Sequence, residues 1–427
     1  MALDADAEDV ARQYFDANFG KSSAKVEVTD FDFEFDTVAN TVTLSAKATT
    51  PTVFMRIFGH DQMMVSAETV IQRRTSGMEL ALVLDNTGSM YGTNFSNMKA
   101  GADELIKIVF GEKNEVDNLW VSVVPFVAAV NIGPTRTGWL APGDAAVSNP
   151  AAFGSKSDGT GWGWKGCVKA RAHPWDTDDS TPSTHPFTSF LYPKAIDNNW
   201  PQIDDASTSS NEARKGPNLG CGTPITPLTA SRATVQAGLD AMRSWRRGGT
   251  TGNLGLVWGW RTLSPKWRGL WGDPKLPLDY DVDGRKDDAM DKVAVILTDG
   301  ENTFYDLPYT VDKKGTVTSP GDTTTPSDYT AYGRLNAPGP VGLAKTSVLA
   351  GATELNKRMT AVCTAMKAQG ILIYTIIYVA NPSEALKTLY QGCASTPAMY
   401  YWAEDNTKIK GVFKSIGGQL ANLRILK

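Results

Sequence analysis

The sequence of 427 residues lacks several features that mark large protein classes. Its longest apolar stretches, such as Ile371–Ala380, are far shorter than the roughly 20 apolar residues that a membrane-spanning helix needs. Its formal net charge is only −4, and no run of like charges or basic cluster indicates nucleic-acid binding. These absences exclude a transmembrane channel, a collagen, a coiled coil and a disordered chain. They leave a globular protein with room for two or three domains of roughly 100–200 residues each.

Cysteine and histidine are also scarce, with four cysteines and three histidines in the whole chain. No CxxC pair and no histidine pair at helical spacing occurs, so the pattern does not predict a zinc site. Two disulfides in an oxidising compartment and four buried thiols in the cytosol both remain open. If disulfides form, we expect Cys363–Cys393, because these cysteines lie in or after consecutive helices around a predicted strand. Cys167–Cys221 would then close a long insertion.

Residues 1–76 predict a small α+β unit. A weak helical stripe covers residues 4–18, and alternating apolar residues then indicate strands separated by a turn. The predicted elements are strands at Lys25–Phe35 and Thr41–Ala48, a short helix at Pro51–Gly59 and a strand at Met64–Arg73.

The pattern changes at Gly77. Glu79–Leu84 is a continuous apolar run of strand length, which is typical of a parallel strand buried on both faces. Further strands are predicted at Leu119–Val127, Lys292–Leu297, Ile371–Tyr378 and Met399–Trp402, and helices at Met98–Phe110, Ala233–Trp245, after Thr250, Lys345–Lys367, Pro382–Tyr390 and Thr407–Leu423. This alternation predicts an α/β fold, with a doubly wound, mainly parallel sheet and helices on both faces.

Three stretches interrupt the alternation within residues 77–427. They cover about 131–227, 264–291 and 304–341 and are irregular, and we interpret them as insertions with their own packing. The first follows the predicted strand Leu119–Val127 and the third closely follows Asp299, so we expect both to surround the carboxyl edge of the sheet. The second should return at the opposite edge.

Three polar motifs lie at predicted strand ends, the second of them between two predicted helices. They are Asp85-x-Thr87-x-Ser89, Gly248-Gly-Thr250 and Thr298-Asp299-Gly300. Because the carboxyl ends of parallel strands share one edge, we expect these groups to converge there. Carboxylates and hydroxyls are hard oxygen ligands that suit Mg²⁺, with Ca²⁺ or Mn²⁺ as alternatives. The predicted metal ligands are Asp85, Thr87, Ser89, Thr250 and Asp299. Two alternatives stay open: the first motif could only cap the next helix, or Thr251 could replace Thr250.

The three motifs together resemble the metal-ion-dependent adhesion site of von Willebrand factor type A domains, with Thr87 where serine is usual. Beyond them, the chain resembles TadG-type proteins of the Tad (tight adherence, Flp pilus) apparatus over nearly its whole length. The stretches that carry this resemblance are Val83-Leu-Asp-Asn-Thr-Gly-Ser-Met90, Gly166-Cys-Val-Lys-Ala-Arg171, Gly255-Leu-Val-Trp-Gly-Trp-Arg261 with Leu263-Ser-Pro265, Leu297-Thr-Asp-Gly-Glu-Asn302 and Gly392-Cys-Ala-Ser395.

The resemblance implies a von Willebrand A domain after a small N-terminal α+β subdomain like that of TadE and TadG proteins. It implies a metal-dependent adhesion or assembly protein of a bacterial pilus system, whose protein partner offers an acidic group to the metal. Family members usually begin with a membrane helix before an Ala-Leu-Asp-rich segment, so we expect an anchor before Ala2 and a place in the periplasm or at the cell surface.

Two other functions are alternatives to this one. A structural scaffold could use the metal only to stiffen the loops. A metal-dependent hydrolase is disfavoured, because dehalogenase-type phosphatases carry a second carboxylate where Thr87 stands, and no GxSxG motif occurs. We therefore predict a binding protein and not an enzyme.

Two secondary features leave alternatives open. Asp279, Asp281, Asp283 and Asp287 match the spacing of a calcium loop, but Met290 stands where its last glutamate is expected, so a solvated acidic segment is the favoured interpretation and a second calcium site the alternative. Two groups of tryptophans could stack on sugars, although small cores that hold the insertions are the favoured interpretation. They are Trp162, Trp164 and Trp175, and Trp258, Trp260, Trp267 and Trp271.

Overall fold

The structure is a computed structural model. It describes residues 9, 11–13, 15, 27–36, 41–72, 77–153, 163–195, 198, 200, 216–245, 248–280, 290–304, 310–311, 317–318, 327–335 and 348–423. The chain divides into two compact units: Ser76–Asn422 form the larger one, and Met1–Thr75 group with Leu423–Lys427 in the other. The assignment of the two units to known domain types stays a prediction.

The N-terminal unit contains a three-stranded antiparallel sheet with β2 in the centre. Its strands are β1 (Glu27–Asp36), β2 (Thr41–Pro51) and β3 (Gln62–Gln72), and a 3-10 turn at Met55–Phe58 separates β2 from β3. The described residues between 9 and 15 are helical, and the rings of Phe15 and Phe31 lie 4.9 Å apart. The three strands confirm the predicted alternation, and Pro51–Gly59 holds only a single 3-10 turn.

The larger unit is built on a six-stranded sheet in the order β9-β8-β7-β4-β5-β6. The strands are β4 (Gly77–Asp85), β5 (Leu119–Phe126), β6 (Thr226–Thr229), β7 (Met290–Thr298), β8 (Leu372–Ile377) and β9 (Tyr400–Trp402). All neighbours are parallel except β5 and β6, so the predicted doubly wound, mainly parallel α/β fold is confirmed. The sequence did not predict β6, because it contains Pro227, which only an edge strand tolerates.

The helices that accompany this sheet are α1 (Thr93–Phe110), α2 (Arg232–Ala241), α3 (Gly252–Leu263), α4 (Val348–Ala368), α5 (Glu384–Cys393) and α6 (Ile409–Leu423). Shorter elements are a helix at Ala145–Ser148, 3-10 turns at Gly88–Met90, Thr137–Trp139, Pro150–Phe153, Pro265–Trp267 and Pro397–Met399, and paired two-residue strands at Val130–Asn131 with Cys167–Val168, Gly249–Thr250 with Thr303–Phe304, and Thr310–Val311 with Val317–Thr318.

Helix α3 crosses the central strand β4 at close range. A Cβ atom at Gly259 would lie 2.6 Å from the side chain of Val83, so glycine allows this approach. Ala81 and Val83 share a core with α3, while Leu82 is equally buried on the opposite face of β4. The strand is therefore buried on both sides, as its continuous apolar sequence predicted.

One helix is shorter than predicted. The helix expected to reach Trp245 ends at Ala241. The backbone N–H of Trp245 instead donates to the carbonyl of Asn86 at 2.7 Å, beside the first polar motif. A long-range hydrogen bond thus replaces a helical one, and local sequence carries no signal for it.

Both expected disulfides are present. Cys167 is bonded to Cys221, and Cys363 to Cys393, so all four cysteines are oxidised. The first bond closes a segment with a sequence separation of 54 residues, and the second joins α4 to the last residue of α5. The structure therefore favours the disulfide interpretation over free thiols.

Most of the tryptophans form a core, as expected. Trp139 lies against Trp267 and Trp271 with ring centroids 5.2 and 4.9 Å apart, and Trp258 is buried beside them. Trp260 and Trp164 are also buried, whereas Trp175 is partly exposed and stacks on His185. Trp162 lies outside the described residues. The buried rings fasten the first and second insertions to α3.

The first insertion extends further than predicted. The buried guanidinium of Arg261, near the end of α3, donates to the carbonyls of Trp175 and Asp178 at 3.0 Å each. Because α3 runs from the carboxyl edge of the sheet towards the amino edge, this insertion does not stay at the carboxyl edge. A buried guanidinium needs acceptors, and these carbonyls supply them.

The second insertion lies at the amino edge, as predicted. Glu79, near the start of β4, accepts hydrogen bonds from Lys292 Nζ at 2.5 Å and from the N–H of Leu278 at 2.7 Å. The calcium-loop hypothesis is untested, since three of its aspartates, Asp281, Asp283 and Asp287, lie outside the described residues. Asp279 itself forms an ion pair with Arg268. Among the described helices, none combines the length and apolar character required to cross a bilayer.

Candidate metal centre

Two carboxylates meet at the carboxyl edge of the sheet because their strands are neighbours. Asp85 is the last residue of β4, and Asp299 directly follows β7, which pairs with β4 in parallel up to Leu297 and Leu84. The hydroxyl of Ser89 donates to Asp299 Oδ1 at 2.6 Å and lies 3.0 Å from the hydroxyl of Thr87. The first and third motifs therefore form one cluster.

The loop after β4 is folded around the carboxylate of Asp85. Asp85 Oδ1 accepts from the N–H of Thr87 at 2.8 Å, and Oδ2 accepts from the hydroxyl of Thr298 at 2.7 Å. The capping alternative is wrong, because α1 begins at Thr93 with Gly92 as its N-cap and has no side-chain cap. The polar side chains of this loop are thus directed into the cluster instead.

Thr250 is placed on the neighbouring loop. It pairs with Thr303 in a two-residue antiparallel ladder and is buried. Gly248 and Gly249 before it both have φ of +98°, a conformation that explains the two glycines. The structure joins Asp85, Thr87, Ser89 and Asp299 through hydrogen bonds, but no hydrogen bond links Thr250 to them.

The two adjacent threonines differ in what their hydroxyls contact. Thr251 Oγ1 donates to the carbonyl of Val127 at 2.6 Å. The hydroxyl of Thr250 has no hydrogen-bond partner within the part of the chain that the structure describes. This difference favours Thr250 over Thr251 as a ligand, and the assignment stays a prediction.

The two carboxylates of this cluster have raised pKa values and no cationic partner in the part of the chain that the structure describes. Burial raises the pKa of Asp85. Burial, followed by the charge of Asp85, raises the pKa of Asp299 to about 7. No described lysine, arginine or histidine forms an ion pair with either carboxylate. Two buried carboxylates with no cationic side chain are costly to keep ionised, and a bound cation would offset that cost.

The donor set fits a hard divalent cation. It consists of two carboxylates and three hydroxyls, with no imidazole or thiolate, and such oxygen ligands suit Mg²⁺, Ca²⁺ or Mn²⁺. No group of three or more His, Cys, Asp or Glu that could hold a metal ion occurs among the described residues. A hydroxyl-rich site is therefore the arrangement that these residues can offer.

Sequence reasoning missed three residues beside the cluster. Thr298 and Asn302 belong to the stretch Leu297–Asn302, in which the sequence predicts a ligand role only for Asp299. The amide of Asn302 accepts from the N–H of Gly252 at 2.7 Å and donates to Asn356 at 2.9 Å, so it links the start of α3 to α4. Tyr390 of α5 is buried, and burial followed by the charge of Asp85 raises the pKa of its phenol.

Only Tyr390 had no signal in the sequence, because it reaches the cluster from a helix far along the chain. Asn86, by contrast, follows Asp85 directly. Its carboxamide is fully buried, and neither its oxygen nor its nitrogen has a hydrogen-bond partner among the described residues.

No family model matches the chain, and no curated protein matches it either. Among solved structures, it is similar to the pilus adhesin SpaC from Lactobacillus rhamnosus GG, at 11% identity and a TM-score of 0.40, with 93% of this chain and 34% of that chain covered. It is also similar to the vWF domain of the type V pili tip protein Mfa5 from Porphyromonas gingivalis, at 10% identity and a TM-score of 0.42, with 82% and 97% covered.

A third similar structure is proximal thread matrix protein 1 from the mussel byssus with a zinc-occupied MIDAS motif, at 10% identity and a TM-score of 0.34, with 81% and 46% covered. The chain thus spans about a third of the length of SpaC and about half of the byssus protein.

Proposed function

We propose that the carboxyl edge of the sheet binds a divalent cation and, through it, an acidic group of a protein partner. The observation that carries the proposal is the cluster of Asp85, Thr87, Ser89 and Asp299, in which two buried carboxylates contact hydroxyls and have no cationic partner among the described residues. Thr250 would complete the set from the adjacent loop. Mg²⁺ is the expected ion, with Ca²⁺ or Mn²⁺ as alternatives.

The low negative charge of the ligand set supports binding of an acidic group. Asp85 and Asp299 are the only charged members, and the neutral hydroxyls of Thr87, Ser89 and Thr250 add no further negative charge. A bound divalent ion would supply positive charge and a coordination position for an outside oxygen. Repulsion from the protein would then not prevent a partner carboxylate from approaching the ion.

Access to solvent separates an adhesive role from a purely structural one. Ser89 is exposed, whereas Asp85 and Thr87 beside it are buried. Solvent therefore reaches the cluster at Ser89, whereas Asp85 and Thr87 are shielded from it. A metal that only stiffened the loops would not need this opening, so the opening favours partner binding over the scaffold alternative.

The biological setting rests on the sequence resemblance to TadG-type proteins. On that basis we propose an adhesion or assembly role in a Tad/Flp-type pilus, with pilus components as partners. A periplasmic or surface location with a membrane anchor belongs to the same proposal. The two disulfides support an oxidising compartment.

The first experiment measures Mg²⁺ binding by isothermal titration calorimetry. The wild type should bind one ion, and Thr250→Val should weaken binding at least tenfold. Thr251→Val is the matched control: it should lower stability through loss of the bond to Val127 but leave Mg²⁺ affinity within about threefold. Equal Mg²⁺ affinities for the two variants would contradict the assignment of Thr250.

The second experiment asks whether the ion serves a partner. Pilus components should be retained by immobilised protein in Mg²⁺ and released by EDTA, and Asp299→Asn should abolish their retention. Retention that survives both treatments would instead support the scaffold alternative. Turnover of phosphoesters that is lost in Asp85→Ala would support the hydrolase.

A further inference from the structure

The free edge of the N-terminal sheet has the properties of a pairing surface. β3 pairs with β2 on one side, and no described strand pairs with its other side. Every residue from Gln62 to Val70 is exposed, so the strand is accessible on both faces of the sheet. Among them, Met64 and Val70 expose 67% and 58% of their surface. A long, apolar, unpaired edge is a template for a further strand.

The opposite edge of the same sheet is protected by charge. β1 carries Asp30, Asp32 and Glu34 at every second position, and all three are exposed. Two copies of such a strand would place several carboxylates close together, which opposes pairing. β3 contains a single charged residue, Glu68, and has no proline. Of the two edges that the described strands form, β3 is therefore the one that favours pairing with another strand.

The sequence of β3 indicates which strand that is. It reads Gln-Met-Met-Val-Ser-Ala-Glu-Thr-Val-Ile-Gln and has approximate two-fold symmetry about Ala67. If two copies pair antiparallel with Ala67 opposite Ala67, Met64 faces Val70 of the other copy. Apolar side chains then meet apolar side chains across the new ladder, which stabilises antiparallel pairs.

The charges agree with the same register. Glu68 lies opposite Ser66, so the one carboxylate of each strand faces a hydroxyl and not another carboxylate. Val65 lies opposite Thr69, which pairs two β-branched residues. A strand selected to receive an unrelated partner has no reason to be complementary to itself, whereas a two-fold interface requires it.

We propose that β3 of one copy pairs with β3 of a second copy of this chain, in antiparallel register about Ala67. The two three-stranded sheets then form one continuous six-stranded sheet. β3 contributes no residue to the metal cluster, so the inference does not depend on the proposed function. Because a single strand on each side contributes contacts, we expect a weak dimer that forms at high local concentration.

Disulfide crosslinking of the full chain tests the register. In an antiparallel pair, directly opposed Cα atoms lie about 4.5–5.5 Å apart, which falls within the range of disulfide bonds. Ala67→Cys should therefore give a covalent dimer under mild oxidation. Thr69→Cys is the control, since two residues at position 69 would be roughly 14 Å apart in this register. The native cysteines are all in disulfides, so they leave no competing thiol.

Charge substitution gives an independent measurement. Ala67→Glu and Ala67→Lys should each shift sedimentation velocity profiles towards monomer, and a mixture of the two should restore the dimer. The same pair of charges at Thr69 faces Val65, so mixing those variants should give no selective recovery. Thermal unfolding checks that each variant is folded.

The two experiments distinguish the proposed β3–β3 dimer from a monomer and from pairing in another register. Crosslinking at position 67 well above position 69, together with recovery in the mixture, supports the inference. A wild type that stays monomeric at its solubility limit would overturn it. Equal crosslinking at both positions, or pairing in another register, would also overturn it.

Discussion

Replacing Asp299 by Asn should stabilise the protein when no metal is present. The asparagine keeps an amide oxygen that can accept the hydrogen bond from Ser89, but it removes one of two neighbouring buried charges. The substitution therefore isolates the electrostatic cost of the cluster. The same substitution should remove most of the response to Mg²⁺.

The pKa of Asp299 sets the magnitude. Its rise from 3.8 to about 7 corresponds to roughly 4 kcal/mol, at about 1.4 kcal/mol for each pH unit. Because this pKa is raised in the folded state, the folded protein holds a proton that the unfolded chain releases. Metal-free stability should thus fall as the pH rises from about 4 to about 7, and the full cost applies at pH of about 8. Asp299→Asn can recover at most about that amount.

The measurement is urea unfolding, followed by the fluorescence of the buried tryptophans. In EDTA at pH of about 8, Asp299→Asn should unfold at higher urea than the wild type. In Mg²⁺ at a hundred times its dissociation constant, the wild type should gain about 2.7 kcal/mol, and the variant should gain much less. The difference in the free energy of unfolding between Asp299→Asn and the wild type should therefore become smaller in Mg²⁺ or change sign.

Asp179→Asn is the matched control. Asp179 is also buried, but it accepts hydrogen bonds from Lys266 Nζ at 2.7 Å and Ser264 Oγ at 2.6 Å. Its neutralisation should cost stability by about 1–3 kcal/mol, equally with and without Mg²⁺. If Asp299→Asn also destabilises the protein in EDTA and responds to Mg²⁺ like the wild type, the reasoning about the cluster is wrong.

Two further predictions concern other parts of the larger unit. Replacing Cys167 and Cys221 by serine should lower the free energy of unfolding by roughly 4 kcal/mol in the simple loop model, measured by urea unfolding, and a loss below about 1 kcal/mol would contradict that model for this insertion. Lys292→Met should cost about 3–5 kcal/mol, because it leaves the fully buried Glu79 without its cation. Adding Glu79→Leu to that variant should recover much of the loss, and a double variant as unstable as the single one would show that the backbone contacts of the pair matter more than its charges.

Several features of the fold followed from the sequence because they depend on local periodicity and on topology. Continuous apolar runs such as Glu79–Leu84 identify parallel strands buried on both faces. Once the strands are parallel, their carboxyl ends share an edge, so Asp85 and Asp299 could be placed together although 213 positions separate Asp85 from Thr298, the last residue of β7. The disulfide between Cys363 and Cys393 followed from the same topology.

Other features were decided only by contacts between distant residues. The helix after residue 232 stops early because Trp245 bonds to Asn86, and the first insertion runs towards the amino edge because the buried Arg261 needs carbonyl acceptors. Tyr390 enters the surroundings of the carboxylates from α5. No periodicity encodes such contacts, since each depends on which side chains the folded chain brings together.

The candidate site shows both kinds of information. The residue types and their order along the chain determined that oxygen ligands gather at one sheet edge. The tertiary structure decided that the hydroxyl of Thr251 donates to the carbonyl of Val127, whereas the hydroxyl of Thr250 has no partner among the described residues. It also decided that the two carboxylates are buried together. The sequence determines which chemical groups are present and at which sheet edge they lie. Burial and hydrogen bonding determine whether these groups are charged and free to bind a metal, and both exist only in the folded protein.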